Sequence, residues 1–368
     1  VSGTLKEHIS GWQFFLITVN YSLGTAFFIR PGSMIASTKQ DGWMIPLLAS
    51  VFMLAVLWIW LGMAKVYPNL SIVQLAVEVA GKPIGGFIAL LYIWYFIQTS
   101  SWVTRNLGDF MKTILMPNTP ITAFHIMFLA IACYAAIKGV ETIARTSEIL
   151  TPFVIFVMLT IYVCALKEWD WGKLEPMFQS SFNKLMKDTG PVIGFPYLET
   201  VTIMMLAPHV KSRLKTALLL GMTVTTLLLS GIVLITVGVL GASRSSHQVY
   251  PLYTIVKELQ IAEFIENLES TIVISWTIWI FLKLCIAYYC AVIGICQLFK
   301  LKNRTGAAIP LIFLIAGIAI TLNDNVIGNI AWDKRYIFQY SCFYGIVLPL
   351  LLWMLGKFKK RKRKGPAA

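Results

Sequence analysis

Glu199 and Lys283 each sit within a long apolar run. A charge at the centre of a bilayer costs about 2.5–3.5 kcal/mol or more, so such residues face protein or water and mark functional positions by default. Two chemistries are open to them. Either side chain could carry a proton or meet a ligand charge. Alternatively, the two could pair with each other and hold their helices together. Arg105 and Asp109, spaced i, i+4, read as an intrahelical ion pair. Arg30 falls near the outer end of its run and is expected to snorkel.

Two stretches of backbone look broken in matching places. One reads Asn20-Tyr21-Ser22-Leu23-Gly24-Thr25-Ala26-Phe27 and continues to Arg30-Pro31-Gly32. The other reads Gly190-Pro191-Val192-Ile193-Gly194-Phe195-Pro196-Tyr197-Leu198-Glu199. Pro removes a backbone donor and Gly tolerates unwinding. Unwound backbone is allowed in a membrane only where protein or a wet cavity satisfies it. The amides opening a half-helix favour a carboxylate, and the carbonyls ending one favour a cation. Candidate substrate-binding residues are therefore Gly24, Thr25 and Ala26 in the first break, and Phe195, Pro196, Tyr197 and Glu199 in the second. Lys283 joins them. Tyr92 and Gln98, in the aromatic ladder with Trp94, Tyr95 and Phe96, are candidates to wall the same pocket, with lipid or helix packing as the alternative reading.

No catalytic or metal-binding constellation accompanies these residues. His8, His125, His209 and His247 are scattered without metal-ligand spacing. The six cysteines fall inside apolar runs and imply no disulfide framework. A P-loop, H-E-x-x-H and G-x-S-x-G are all missing from the sequence. No enzyme, metal or cofactor is expected.

The elements that must position the candidates are membrane helices. The 368 residues are 57% hydrophobic and 13% charged, with mean hydropathy +0.73; soluble domains carry about 25% charge. A crossing helix needs roughly 20 apolar residues. The expected spans are 12–36, 43–66, 84–111, 121–137 and 148–166, then 190–208, 216–240, 270–299, 307–322 and 336–356. The apolar stretch after the polar N-terminus is too long for a signal-peptide core of about 7–15 residues, so no cleavable signal is expected.

Ten crossings place both termini on one side. Of the 31 Lys and Arg, 18 fall on that side, including Lys6 and the tail from Lys357 to Lys364. Ten fall on the other side, and Arg30, Arg105 and Lys283 lie within spans. Positive residues stay in the cytoplasm, so both termini are expected there. Glu258, Glu263, Glu266 and Glu269 are expected outside. The net charge of +14 is then mostly a topology signal, and the basic tail is expected to meet anionic lipid headgroups rather than nucleic acid.

Tyr67-Pro68-Asn69-Leu70-Ser71-Ile72-Val73-Gln74 follows span two, and Tyr250-Pro251-Leu252-Tyr253-Thr254-Ile255-Val256-Lys257 follows span seven. A five-helix unit crosses an odd number of times, so its second copy is inverted, as in many secondary transporters. The expected organisation is an N-terminal segment 1–11, a first repeat 12–166, an external loop 167–189, a second repeat 190–356 and a basic tail 357–368.

The sequence resembles the B subunit of GerA-type spore germinant receptors, relatives of the amino acid/polyamine/organocation permeases. The resemblance rests on Ile9-Ser10-x-x-Gln13, Leu23-Gly24-Thr25 with Pro31, and Tyr67-Pro68 followed by Ser71. It continues through Pro196 with Glu199 and Pro208, then Glu266-x-x-Glu269-Ser270 followed by Trp276, and the basic tail. It implies an all-α LeuT-like fold of 5+5 inverted repeats with helices one and six broken. It further implies the inner membrane of a spore, partner A and C subunits, and a small germinant such as an amino acid. The chain departs from the pattern at Ala26, where a second Gly is frequent, and at Arg30, where an apolar residue is usual; both bear on ligand identity. The expected function is nutrient sensing, with a proton-coupled amino-acid permease as the alternative.

Overall fold

The computed structural model describes residues 7–258, 268–322 and 326–363. Lys6, Glu263, Glu266 and Lys364 lie outside the described residues, as do the side chains of Glu269, Lys362 and Arg363.

The first crossing is two half-helices in series, α1 (Gly11–Leu23) and α2 (Ala26–Thr38). Ser10 caps α1 and forms a capping box with Gln13, which satisfies two of the orphan amides at that end. A 3-10 turn, Lys39–Trp43, reverses the chain into α3 (Met44–Val66). The short helix α4 (Ile72–Ala80), with its own Ser71–Gln74 capping box, leads into α5 (Lys82–Phe110). The first half closes with α6 (Ile121–Lys138) and α7 (Val140–Ala165). Gly139 alone joins α6 to α7 at φ 100°, a conformation other residues rarely adopt.

The second half begins with α8 (Phe182–Val192), eight residues before the apolar run, because its first turns are amphipathic. After a break, a 3-10 helix runs from Leu198 to His209. Then come α9 (Leu214–Leu240), the single turn α10 (Ala242–Ser245) and the short α11 (Pro251–Glu258). The set ends with α12 (Leu268–Phe299), α13 (Arg304–Thr321), and α14 (Val326–Cys342) continued by α15 (Leu348–Arg363).

Among the described residues, nine helical stretches are long and apolar enough to cross a membrane. The first of these, Ala26–Val66, joins α2 to α3. Counting α1 with α2 as one crossing gives ten. The two Tyr-Pro segments both lead to short helices, α4 and α11, although α11 starts at Pro251 itself and α4 starts four residues after Pro68.

Buried polar contacts fix the centre of the bundle. The Trp279 indole donates to Asn20 Oδ1 at 2.9 Å, and Asn20 Nδ2 donates to Thr151 at 2.8 Å. Those bonds tie α1 to α12 and α7. Ser22 and Thr200 meet at 3.0 Å, tying α1 to the 3-10 helix. Arg105 pairs with Asp109 at 3.0 Å as the i, i+4 spacing predicts. Its other arm donates to the carbonyls of Ala319 and Ile320, both at 3.3 Å, so a cation caps the C-terminus of α13.

The N-terminal segment closes the same end of the bundle that holds the described C-terminal end. Ile9 forms a parallel bridge with Val210. The Glu7 carboxylate accepts from Arg304 at 2.6 Å and from the Tyr289 hydroxyl at 2.8 Å. Glu7→Gln keeps the shape and removes the charge. It is expected to lower stability by about 1–2 kcal/mol, since hydrogen bonds to charged groups contribute about 1.5–3 kcal/mol. A thermal-unfolding midpoint in detergent equal to that of the parent chain would show that the latch contributes nothing.

Candidate functional site: a four-charge cluster

The second break places helix six's backbone at the bundle centre. Residues 193–197 widen into a π-helical turn, and Phe195 within it is extended, with φ −136° and ψ 119°. Gly194 permits this break to sit against α14: a Cβ there would lie 2.8 Å from the Ile337 carbonyl oxygen. Two carbonyls beside the kink, those of Phe195 and Pro191, accept from Arg30. Its Nε donates to Phe195 O at 3.0 Å and its Nη2 to Pro191 O at 3.3 Å. The same Nη2 pairs with Asp333 at 3.3 Å. Arg30 is 4% exposed. It is therefore a buried bridge from α2 to α8, the 193–197 break and α14, and the expectation that it snorkels gives way to this role. Snorkelling is for a cation whose nearest polar surroundings are water; here they are backbone carbonyls.

Lys283 is fully buried, and its ammonium donates to Glu199 Oε2 at 2.8 Å. Arg30, Lys283, Glu199 and Asp333 thus form one cluster of two cations and two anions. The Phe195 ring links the two pairs: the Arg30 guanidinium carbon and Lys283 Nζ each lie 4.6 Å from its centroid. Lys283 Nζ also lies 5.1 Å from the Tyr21 ring. Arg30, Lys283 and Glu199 are buried, whereas the Asp333 side chain is 19% exposed; the buried charges are tolerable only because each has an opposite charge or a backbone oxygen beside it.

The first break is tighter than the second. Gly24 and Thr25 keep φ/ψ near the right-handed helical region, and the Gly24 amide still bonds Asn20 O. Gly24 is where α12 packs: a Cβ there would lie 2.8 Å from Lys283 Cβ and 3.0 Å from Trp279 O. Close approach at Gly24 is therefore to α12 rather than to open space. Thr25 opens α2, and its hydroxyl is buried without a hydrogen-bond partner among the described residues. The hydroxyls of Tyr21 and Tyr95 are also buried; Thr202 and Ser341 lie beside them as hydrogen-bonding neighbours, and both hydroxyls lie within electrostatic reach of Glu199. Ala26 packs with Phe195 and Ile337, flanked by Trp102 and Trp332.

The structure brings Gly24, Thr25, Ala26, Phe195, Pro196, Glu199 and Lys283 to one place. Three other candidates face elsewhere. The Tyr197 hydroxyl donates to Pro46 O at 3.1 Å and meets Thr226 at 2.8 Å, joining helix six to α3 and α9. The Tyr92 hydroxyl donates to Tyr344 O at 3.1 Å, and Gln98 accepts from Tyr340. Both bind α5 to the last crossing. Asp333 was not among the sequence candidates; Tyr21 entered only as part of the first break and Tyr95 only as part of the aromatic ladder. Asp333 lies on α14, which starts ten residues before the apolar run at 336.

On the far side from the N-terminus, a cavity of about 310 Å³ opens onto Arg30 and Asp333, between α2, α8 and α14. The Arg30–Asp333 pair stands between that opening and Phe195. Among the described residues no group of His, Cys, Asp and Glu is arranged to hold a metal ion.

The fold matches solved transporters. The crystal structure of MhsT in complex with L-phenylalanine superposes with a TM-score of 0.70 at 16% identity, covering 95% of this chain and 88% of that one. Spore germination protein KB of Bacillus subtilis (strain 168) is 24% identical over 365 residues, covering 98% of this chain and 97% of its own length. Spore germination protein B2 of the same organism is 26% identical over 366 residues, covering 98% of both. Residues 8–326 match the family described as spore germination protein, so this ten-crossing chain with its LeuT-type break at helices one and six belongs to the spore germination protein family.

Proposed function

We propose that this chain is the nutrient-sensing subunit of a spore germinant receptor. It binds a small germinant such as an amino acid at the four-charge cluster and passes the change to A and C subunits. On this reading the chain lies in the spore's inner membrane with both termini cytoplasmic, and its halves are the repeats 12–166 and 190–356. The observation that carries the ligand class is the charge balance of the cluster. A zwitterion inserted at the Lys283–Glu199 pair offers an ammonium to Glu199 and a carboxylate to Lys283, so every buried charge stays compensated. A ligand of single charge would leave one buried ion without a partner, at a cost of several kcal/mol. The unpartnered hydroxyl of Thr25 is a further group for the ligand's polar atoms. Ligand entry from the 310 Å³ cavity requires Arg30 and Asp333 to part and Phe195 to move.

The test is binding to the purified chain in nanodiscs, by calorimetry, of free amino acids against their N-acetyl and amide derivatives. The free amino acid is expected to bind, and removal of either ligand charge is expected to weaken binding at least tenfold. Equal binding of a derivative would sink the zwitterion reading. A second reading is a proton-coupled amino-acid permease, supported by Glu199, an ionisable carboxyl buried at the centre of a transporter fold. Uptake of labelled amino acid by proteoliposomes holding this chain alone, dependent on a pH gradient, separates it from the sensor.

A further inference from the structure

A cavity of about 770 Å³ lies on the N-terminal side of the bundle, away from the ion cluster. Its volume falls in the range of about 300–1,000 Å³ typical of small-ligand sites. Three crossings meet there: the end of α3, the start of α9 and the end of α15. Five cations line it, Lys65, Lys215, Lys357, Lys360 and Arg361, and no acidic residue does. Lys357, Lys360 and Arg361 are neighbours in the basic tail, and the fold brings Lys65 and Lys215 to them from far along the chain.

The wall between these charges is aromatic. Trp58 is 67% exposed and packs edge-on against the buried Trp353 at 4.7 Å. Lys357 Nζ lies 3.8 Å from the Trp353 ring centroid. Gly62 lets that ring lie on α3, for a Cβ there would sit 2.6 Å from it. Below the cations, α3 and α15 present exposed Leu54, Leu351 and Met354, the surface that faces hydrocarbon in a bilayer. The site is thus charged at the level of the headgroups and apolar along the chains.

We propose that this cavity binds a phospholipid with an anionic headgroup, its phosphate held by Lys65, Lys215 and Lys357 and its acyl chains lying along Trp58 and α3. A free phosphate would use the cations and leave the aromatic wall idle. A zwitterionic lipid would bring its own cation into a site that already holds five. Each basic residue near an anionic lipid contributes about 1 kcal/mol, so the loss of three lowers affinity about a hundredfold.

The test uses the full chain purified in neutral detergent. It is titrated with phosphatidylglycerol, phosphatidylcholine or inorganic phosphate, and followed by native mass spectrometry and thermal unfolding. The parent chain is expected to retain one phosphatidylglycerol at least tenfold more tightly than phosphatidylcholine, with no effect of phosphate. The triple variant Lys65→Gln, Lys215→Gln, Lys357→Gln is expected to lose that binding about a hundredfold. A control triple on the same side, Lys138→Gln, Lys211→Gln, Lys302→Gln, is expected to keep it. Equal retention of phosphatidylcholine, displacement of the lipid by phosphate, or equal loss in both triples overturns the proposal. Trp58→Ala keeps every charge and serves if the first triple does not fold. It is expected to weaken phosphatidylglycerol binding, and unchanged affinity overturns the proposal as well.

Discussion

Lys283→Met is expected to destabilise the protein by about 3–5 kcal/mol, the cost of leaving one partner of a buried ion pair uncompensated. Lys283 is fully buried and Glu199 is 6% exposed, so water does not screen the loss. Met keeps the length and apolar stem of Lys, which isolates the effect of the charge. With Lys283 gone, Glu199 faces Asp333 with Arg30 as the one remaining cation of the cluster. Folded yield in the membrane should fall sharply, because total stabilities are commonly about 5–15 kcal/mol. The double variant Lys283→Met, Glu199→Gln removes both charges and leaves Arg30 with Asp333 as a balanced pair. It is expected to recover most of the lost stability while failing to bind ligand. Abundance and unfolding midpoints of the two single variants and the double give the coupling directly. Normal abundance and normal ligand response in Lys283→Met would refute both the structural and the ligand-binding roles of the pair.

Gly24→Val is the second large effect. A side chain at Gly24 meets Lys283 Cβ at 2.8 Å and the Trp279 carbonyl at 3.0 Å, and backbone cannot yield as a side-chain tip can. Overpacking of this kind costs about 1–3 kcal/mol. The larger consequence is geometric. Pushing α1 from α12 displaces the base of Lys283 and with it the 2.8 Å contact to Glu199. Ligand response is expected to be lost even at temperatures where the variant remains folded, and Gly24→Ala is expected to show a weaker form of the same defect. The measurements are folded yield and ligand binding on the same preparations. Unchanged binding at normal yield would remove Gly24 from the machinery.

Glu199, Lys283 and the Pro-Gly breaks were legible in the sequence because apolar surroundings make a charge or a proline conspicuous. The Arg105–Asp109 pair was legible because it is local. Arg30 and Asp333 were harder for the same physical reason. Each lies where a span meets its loop, and hydropathy assigns such charges to water. In the fold, Arg30 instead answers the carbonyls of Phe195 and Pro191, and those partners are about 160 residues away along the chain. Asp333 precedes the apolar run because the first turns of α14 line a wet cavity and need no lipid-facing residues. Tyr92 and Gln98 had the composition of a pocket wall. Which face of α5 they occupy depends on where the last crossing packs, and no local pattern encodes that.

The equality of cations and anions in the cluster also has an electrical consequence. A charge moved through a transmembrane field of 100 mV gains or loses about 2.3 kcal/mol. A set of two positive and two negative groups that shifts as one body with a bound zwitterion displaces almost no net charge along that field. Membrane voltage then has little hold on whether the site is filled. A detector built this way works equally well in a membrane at rest and in an energised one, whereas a cycle that carried a proton through Glu199 would run at the pace the voltage sets.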